Sequence, residues 1–286
     1  MRPLHGWIRG SGWCDVAMTH PTHRSLSRWA GGLLLSALVI VAVAAPLLAP
    51  ADPFSIAGGA LTPPSPANPF GTDDLGRDVF GGVVHGGLNS LKVGLAGALS
   101  AVLFGIGVGG LAGMRGGIAD DLLMRATEFV QAMPRFFLVV TIVSLFGGHL
   151  WLITLVIALT AWPETARVFR AQVQATLGRE FVVAARASGS TEPSILLRHV
   201  LPLTISVVAA HASYQAGSAI LTEAAMSFLG LGDPRVMSWG TLLGSAQYMV
   251  REGWWVSLFP GVAITLTVLG CNLLADSLVA RSPDEA

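Results

Sequence analysis

Of the 286 residues, 52% are hydrophobic and only 12% are charged, whereas soluble proteins average about 25% charged residues. The 17 basic and 17 acidic residues balance, so no bulk electrostatic attraction to nucleic acid is expected. The two cysteines, Cys14 and Cys271, lie at opposite ends of the chain, which argues against a disulfide framework. The composition therefore indicates a membrane protein.

Six apolar segments are predicted to cross the membrane, since a spanning helix needs about 20 mostly apolar residues. They cover residues 31–50, 88–113, 121–146, 150–169, 201–229 and 254–275. The first begins too far from the N-terminus, and is too long, for a signal peptide, so an uncleaved helix is expected. The third joins the short apolar run 136–146 to the residues before it, with a kink at Pro134. The sequence thus predicts an all-α polytopic membrane protein.

The distribution of arginines predicts that both termini are cytoplasmic, because basic residues concentrate in cytoplasmic loops. Only Arg77, Arg235 and Arg251 then lie outside. The arginines placed inside are Arg2, Arg9, Arg24, Arg28, Arg115, Arg125, Arg167, Arg170, Arg179, Arg186, Arg198 and Arg281. The predicted organisation is a cytoplasmic tail (1–24), a first span with an extracytoplasmic segment (25–80), a transmembrane core (81–281) that contains a cytoplasmic loop (174–202), and a C-terminal tail (282–286).

The extracytoplasmic segment carries a dense group of charges, Asp73, Asp74, Arg77 and Asp78. The favoured interpretation is a capped helix start with Thr72 or Asp73 as the N-cap, because carboxylates stabilise the first turn of a helix. The alternative is a contact with another protein. A metal site is disfavoured, since the nearest histidine is His85.

The second span contains glycines at every fourth position, Gly105, Gly109 and Gly113. This spacing lets a neighbouring helix approach closely. Two interpretations stay open: packing within one subunit, which is favoured, and a contact between subunits.

Polar residues within the spans are candidates for a transport pathway. Arg135, beside Pro134, is costly in lipid and is expected to face protein or a water-filled cavity. In the fifth span His211, Tyr214 and Gln215 share a helix face and are candidate pathway residues, unless they only hydrogen-bond to neighbouring helices. Glu223 is predicted near the outer face, where a structural or gating role is favoured over substrate binding.

The cytoplasmic loop contains the stretch REFVVAARASGSTEPSILLRHVLP, residues 179–202. It is predicted to form a short helix, a break at Gly189 and a second helix, with Thr191 or Ser190 as its cap and Pro193 in its first turn. The small residues and flanking charges suit a segment that docks on another protein. A solvated loop is an equally good interpretation on physical grounds alone.

This stretch resembles the cytoplasmic signature of ABC importer permeases, which reads Glu-Ala-Ala, three residues, Gly, nine residues, an apolar residue, any residue and Leu-Pro. Here Val183 stands where the family has Glu, and Glu180 lies three residues upstream. Four further segments, in the same order, are similar to permeases for dipeptides, oligopeptides and nickel. They read NPFGTDDLGRDVF (68–80), ILTEAAMSFLGLG (220–232), SWGTLL (238–243) and FPGVAITLTVLGCNLLADSL (259–278).

The resemblance implies the type I importer permease fold, placed in the inner membrane, with the loop serving as a coupling helix for a separate ATPase. The residues that would carry this coupling are Glu180, Ala184, Ala185, Arg186, Gly189, Leu201 and Pro202. The implied partners are a second permease subunit, two ATP-binding subunits or domains and an extracytoplasmic solute-binding protein. Di- or oligopeptides are the expected substrate, and nickel or a metal chelate is the alternative. No catalytic residue, cofactor or metal site is implied.

The sequence itself supports a separate ATPase. A phosphate-binding loop needs Gly-Lys followed by Ser or Thr, and the only lysine, Lys92, lies between Leu91 and Val93. Two rival classes are disfavoured. A secondary transporter predicts inverted repeats or several intramembrane acids, and Glu223 is nearly the only candidate. A membrane-embedded hydrolase needs a nucleophile and a base, which the sequence does not present together.

Overall fold

A computed structural model describes the backbone of residues 21–279 and the side chains of residues 29–279. The predictions for Cys14, Arg2, Arg9, Arg24, Arg28, Arg281 and both terminal tails fall outside these described parts. The helices are α1 (Pro21–Val43), α2 (Ala45–Leu48), α3 (Val79–Arg115), α4 (Gly117–Ala132), α5 (Arg135–Phe146), α6 (Leu150–Leu177), α7 (Glu180–Ala187), α8 (Glu192–Ile195), α9 (Leu201–Phe228), α10 (Trp239–Ala246) and α11 (Trp254–Val279). The predicted all-α class is confirmed.

Within residues 21–279, four helices are individually long and apolar enough to cross a membrane: α3, α6, α9 together with the turns before it, and α11. The pair α4 and α5 meets the same criterion only when taken together, and its two helices are bent by 68°. The apolar part of α1, Trp29–Val43, is shorter than the others. The six predicted segments therefore all correspond to helices, but they are not equally regular.

The third predicted segment was expected to be one kinked helix, and this is wrong. The chain leaves the helical conformation at Met133 (φ −85°, ψ 123°) and starts again at Arg135. Proline disfavours the helical conformation in the residue before it, because its Cδ clashes with that residue's backbone. Pro134 therefore breaks the span into α4 and α5.

The first and second spans also differ from prediction at their ends. The first was predicted as continuous through residue 50, but α1 ends at Val43 and the short α2 follows. Pro46, which lacks an N–H, lies in the first turn of α2 and favours a new helix start. The second span begins at Val79, nine residues before the predicted start, because Asp78 caps it.

The predicted N-cap, Thr72 or Asp73, is corrected to Asp78. Its carboxylate accepts hydrogen bonds from the N–H groups of Phe80 (3.4 Å) and Gly81 (2.9 Å) at the start of α3. Asp73 instead holds the preceding loop, accepting from the N–H groups of Leu75 (2.9 Å) and Arg77 (2.8 Å). Burial raises the pKa of the Asp73 carboxyl, although these backbone hydrogen bonds oppose the shift.

The stripe of small residues on α3 packs inside the subunit, as favoured from the sequence. A Cβ atom on Gly105 would lie 2.7 Å from Thr165 Cγ2 of α6, and one on Gly113 would lie 2.8 Å from Val173 Cβ. Gly109, between them, faces the backbone of Ala166. The glycines therefore let α3 and α6 approach backbone to backbone.

Candidate functional site

The segment between α6 and α9 folds as predicted into two short helices around a glycine turn. Gly189 has φ +83°, a left-handed conformation that favours glycine. The N–H of Ser190 donates to the carbonyl of Ala185, and the N–H of Gly189 donates to the carbonyl of Arg186, both at 3.0 Å. This pair of hydrogen bonds is the Schellman ending of a helix. The predicted break at Gly189 is confirmed.

The second helix starts at Glu192, with Pro193 in its first turn as predicted. Thr191 occupies the N-cap position with an extended backbone, but its side chain makes no capping hydrogen bond. The cap predicted at Thr191 or Ser190 is therefore correct in position only. The Pro193 ring, which fixes φ near the helical value, helps to start this short helix.

One face of this segment is anchored to the transmembrane bundle. Val182 of α7 and Ile195 of α8 are fully buried, and they pack with Phe169, Val173 and Val208 in one apolar cluster. Ala185 and Leu201 pack against the edge of this cluster and are partly buried. The end of α6 thus fixes the position of the helix pair.

The opposite face of the helix pair is exposed. Of the predicted coupling residues, Glu180, Ala184, Arg186, Gly189 and Pro202 are exposed. Val183, in the position where the family signature has Glu, is 57% exposed. A Cβ atom built on Gly189 would meet no atom within 4 Å, so the turn projects into open space.

Arg186 and Glu192 join the two short helices across the glycine turn. Arg186 Nε lies 2.8 Å from Glu192 Oε1, and Arg186 Nη2 lies 3.0 Å from Glu192 Oε2. This two-point hydrogen bond to a carboxylate raises the pKa of Arg186 above its usual value. This pair was not predicted from the sequence. The sequence feature that could have indicated it is Glu192, whose charge is opposite to that of Arg186 and which lies just beyond the Gly189 turn.

We predict that reversing either charge of this pair weakens ligand-stimulated ATP hydrolysis, and that the double exchange Arg186→Glu/Glu192→Arg restores part of it. A single reversal places two like charges across the turn and changes the angle between α7 and α8. We expect each single variant to lose about threefold in rate, because exposed ion pairs are weak. ATP hydrolysis by the reconstituted complex measures the effect. Failure of the double variant to recover beyond the single variants would contradict it.

A π-helix, Leu196–Val200, precedes the Leu201-Pro202 pair. Pro202 has no N–H to donate to the carbonyl one turn earlier, and its ring needs additional space there. The wider π turn provides that space, and such turns often occur at functional sites. The Leu-Pro element of the signature therefore marks the junction between the short helix pair and α9.

The candidate pathway residues of α9 differ in burial and in hydrogen bonding. Gln215 is buried, Tyr214 is 52% exposed, and His211 is partly buried with no partner for its Nδ1 among the described residues. Their roles in a pathway remain predictions. The spacing of three and four positions aligned them on a helix, but they differ in exposure.

Gln215 belongs to a polar network that links three helices. Arg135 Nη1 donates to Gln215 Oε1 (3.2 Å), and Gln215 Nε2 donates to Glu164 Oε2 (2.9 Å). Arg135 also donates to the carbonyl of Ile157 (3.2 Å). Glu164 was not predicted as a site residue, although it is the only acidic residue between positions 150 and 169.

The network lines a cavity of about 420 Å³ between the α4–α5 break, α6 and α9. Its polar lining residues are Gln131, Arg135, Thr160, Glu164, Arg167 and Gln215. Arg135 therefore faces a polar cavity, as expected from its cost in lipid.

Glu223 is completely buried, and its surroundings favour the structural role. Glu223 Oε1 accepts hydrogen bonds from Ser227 and Ser238, both at 2.8 Å. Ser238 is the N-cap of α10, where it forms a reciprocal capping box with Thr241. The carboxylate thus ties α9 to the start of α10. A gating role for Glu223 stays a prediction.

These features define an all-α integral membrane protein: a bundle of helices long and apolar enough to span a membrane, with a helix pair held at one end. Comparison with known proteins identifies the family. Residues 105–282 match the binding-protein-dependent transport system inner membrane component family, and the chain belongs to it. The resemblance drawn from the cytoplasmic signature is confirmed.

The relatives are similar over most of their length. A putative peptide permease protein of Brucella suis biovar 1 is 35% identical over 95% of this chain and 93% of its own. The di/tripeptide transport system permease protein DppC of Pseudomonas aeruginosa is 37% identical over 87% of this chain and 85% of its own. The oligopeptide transport system permease protein OppC of Haemophilus influenzae is 38% identical over 73% of this chain and 68% of its own.

A solved structure of the MetNI methionine ABC transporter in inward-facing conformations has a similar fold, with a TM-score of 0.53 and 17% identity. The match covers 68% of this chain and 95% of that chain. At this identity the likeness concerns the fold alone, and it agrees with the type I importer permease fold implied by the sequence.

Proposed function

We infer that this protein is the permease subunit of an ATP-driven, binding-protein-dependent importer of di- or oligopeptides. The observation that carries this inference is its 35–38% identity, over most of the chain, with permeases named for peptide transport. The names of these relatives favour peptides over the nickel alternative.

In this function the subunit forms half of the translocation pathway, and a second, different permease forms the other half. The exposed face of α7 and the Gly189 turn would receive one of two ATP-binding subunits or domains. The buried contacts of Val182 and Ile195 support this assignment, because they would transmit movement of the helix pair to α6 and α9. The subunit would carry no catalytic residues of its own.

A solute-binding protein would deliver the substrate from outside. The arginine distribution supports this orientation, with both termini and the loop 174–202 in the cytoplasm. The extracytoplasmic segment that precedes α3 and the connection containing α10 would then face the binding protein. The same proposal includes the domain organisation predicted from the sequence, with boundaries at residues 24, 80 and 281.

Mild detergent purification of the tagged protein from its native host, followed by mass spectrometry, tests this function. We expect an ATPase and a second six-helix permease to co-purify, and a co-purified binding protein to carry a peptide. A chain that purifies without an ATPase would contradict the proposal. A secondary transporter would then become the better interpretation, and Glu223 would be the first residue to mutate.

A further inference from the structure

The polar cavity beside Arg135 lies at a similar distance from the ends of three helices, all within predicted membrane spans. With a rise of about 1.5 Å per residue, Arg135 is about 17 Å from the end of α5 at Phe146. The same rise places Glu164 about 21 Å from the start of α6 and Gln215 about 20 Å from the end of α9. Three separate helices thus bring charged and polar groups to one depth in an apolar layer about 30 Å thick.

The cavity is built on a discontinuous helix. Arg135 is the first residue of α5, directly after the break at Met133 and Pro134, and both of these residues line the cavity. Broken spans at this depth occur where the backbone lines a cavity, because free backbone groups in lipid are costly. The 68° bend between α4 and α5 therefore leaves a space for a polar ligand.

The charges of the cavity are incompletely paired by the described residues. Arg135 Nε is buried without an acceptor, although both Nη atoms have acceptors. Glu164 is exposed and engages Gln215 through Oε2, so its Oε1 is accessible to a ligand. Arg167 adds a second positive charge to the lining. A buried donor without an acceptor is rare and calls for a partner.

We propose that this cavity holds the two charged ends of a peptide, with its carboxylate between Arg135 and Arg167 and its ammonium group against Glu164. This inference rests on the proposed function and specifies where the substrate passes. The cavity volume of about 420 Å³ is within the usual range of small-molecule pockets, about 300–1,000 Å³. A carboxylate could accept hydrogen bonds from the two guanidinium groups, including the buried Arg135 Nε, and an ammonium group could donate to Glu164. These are the two charges that a peptide with free termini carries.

Photolabelling of the complete importer tests the assignment. The protein, its second permease, its ATPases and its loaded binding protein would be reconstituted and arrested with vanadate. The probe is a dipeptide with free termini and a diazirine side chain. We expect label within residues 131–135 and 160–167, and its loss when excess unlabelled dipeptide is present. Label confined to other parts of the complex would overturn the assignment, even while the importer transports peptide.

A pair of variants supplies a second readout. In Glu164→Gln, we expect the amount of peptide imported per ATP hydrolysed to fall about tenfold, because a hydrogen bond to a charged group is lost. Glu128→Gln removes an exposed carboxylate from α4, outside the cavity, and should keep the original ratio. An unchanged ratio in Glu164→Gln would contradict the proposal. If the unaltered importer moves no peptide, the proposed function itself fails, and the peptide assignment fails with it.

Discussion

Replacing Gly189 with aspartate is expected to uncouple ATP hydrolysis from transport while the protein remains in the membrane. The turn requires a left-handed backbone, φ +83°, which non-glycine residues adopt at a cost of about 1–3 kcal/mol. The new carboxylate would also project into the open space where an ATPase is proposed to dock. Couplings between sites are typically about 5- to 150-fold, and we expect a loss of transport within that range. Peptide uptake and ATP hydrolysis in proteoliposomes measure the two activities separately.

The control for this variant is Gly178→Asp. Gly178 is also exposed and also has no atom within 4 Å of a built Cβ, but its φ is −82°, which any residue adopts. Gly178→Asp introduces the same charge at the end of α6 and leaves the Gly189 turn undistorted. Retained transport in Gly189→Asp would remove the coupling role of the turn. Equal losses in both variants would assign the effect to charge and not to the turn.

The sequence predicted the features that depend on neighbouring residues in the chain. Uncharged runs gave the positions of the spans, and the fifth was accurate at both ends, since α9 covers Leu201–Phe228. Gly189 and Pro193 specified a turn and a helix start through their own backbone preferences. The order of several short motifs identified the family.

Features that depend on distant residues could not be obtained in this way. Gln215 was placed on a helix face, but the spacing within α9 carries no information about Arg135 or Glu164, which are 80 and 51 positions away. The cap of α3 was assigned to the wrong residue, because several adjacent side chains have suitable chemistry. Asp73 instead accepts backbone hydrogen bonds that hold the loop before α3. Local conformational preferences were enough to predict the helices. Contacts between distant residues determined which of several similar polar side chains takes each role.

Leucine at position 109 is expected to disrupt the packing of α3 against α6. A side chain there would meet the backbone of Ala166, which cannot rotate away as a flexible side chain can. Overpacking of a well-packed interior typically costs about 1–3 kcal/mol of stability. We expect Gly109→Leu to destabilise the protein by an amount at the upper end of this range or above it. The measurement is the midpoint of thermal unfolding of the purified protein in detergent, together with its amount in the membrane.

Gly107→Leu is a matched control on the same helix. Gly107 is exposed, and a Cβ atom there meets nothing within 4 Å, so the same side chain should leave the midpoint unchanged. The comparison also tests whether the glycines that pack α3 against α6 serve a contact between subunits as well. Stable Gly109→Leu protein that fails to assemble with the second permease would indicate such a contact and contradict the expected destabilisation. Loss of stability before assembly would agree with the packing of Gly105, Gly109 and Gly113 against α6.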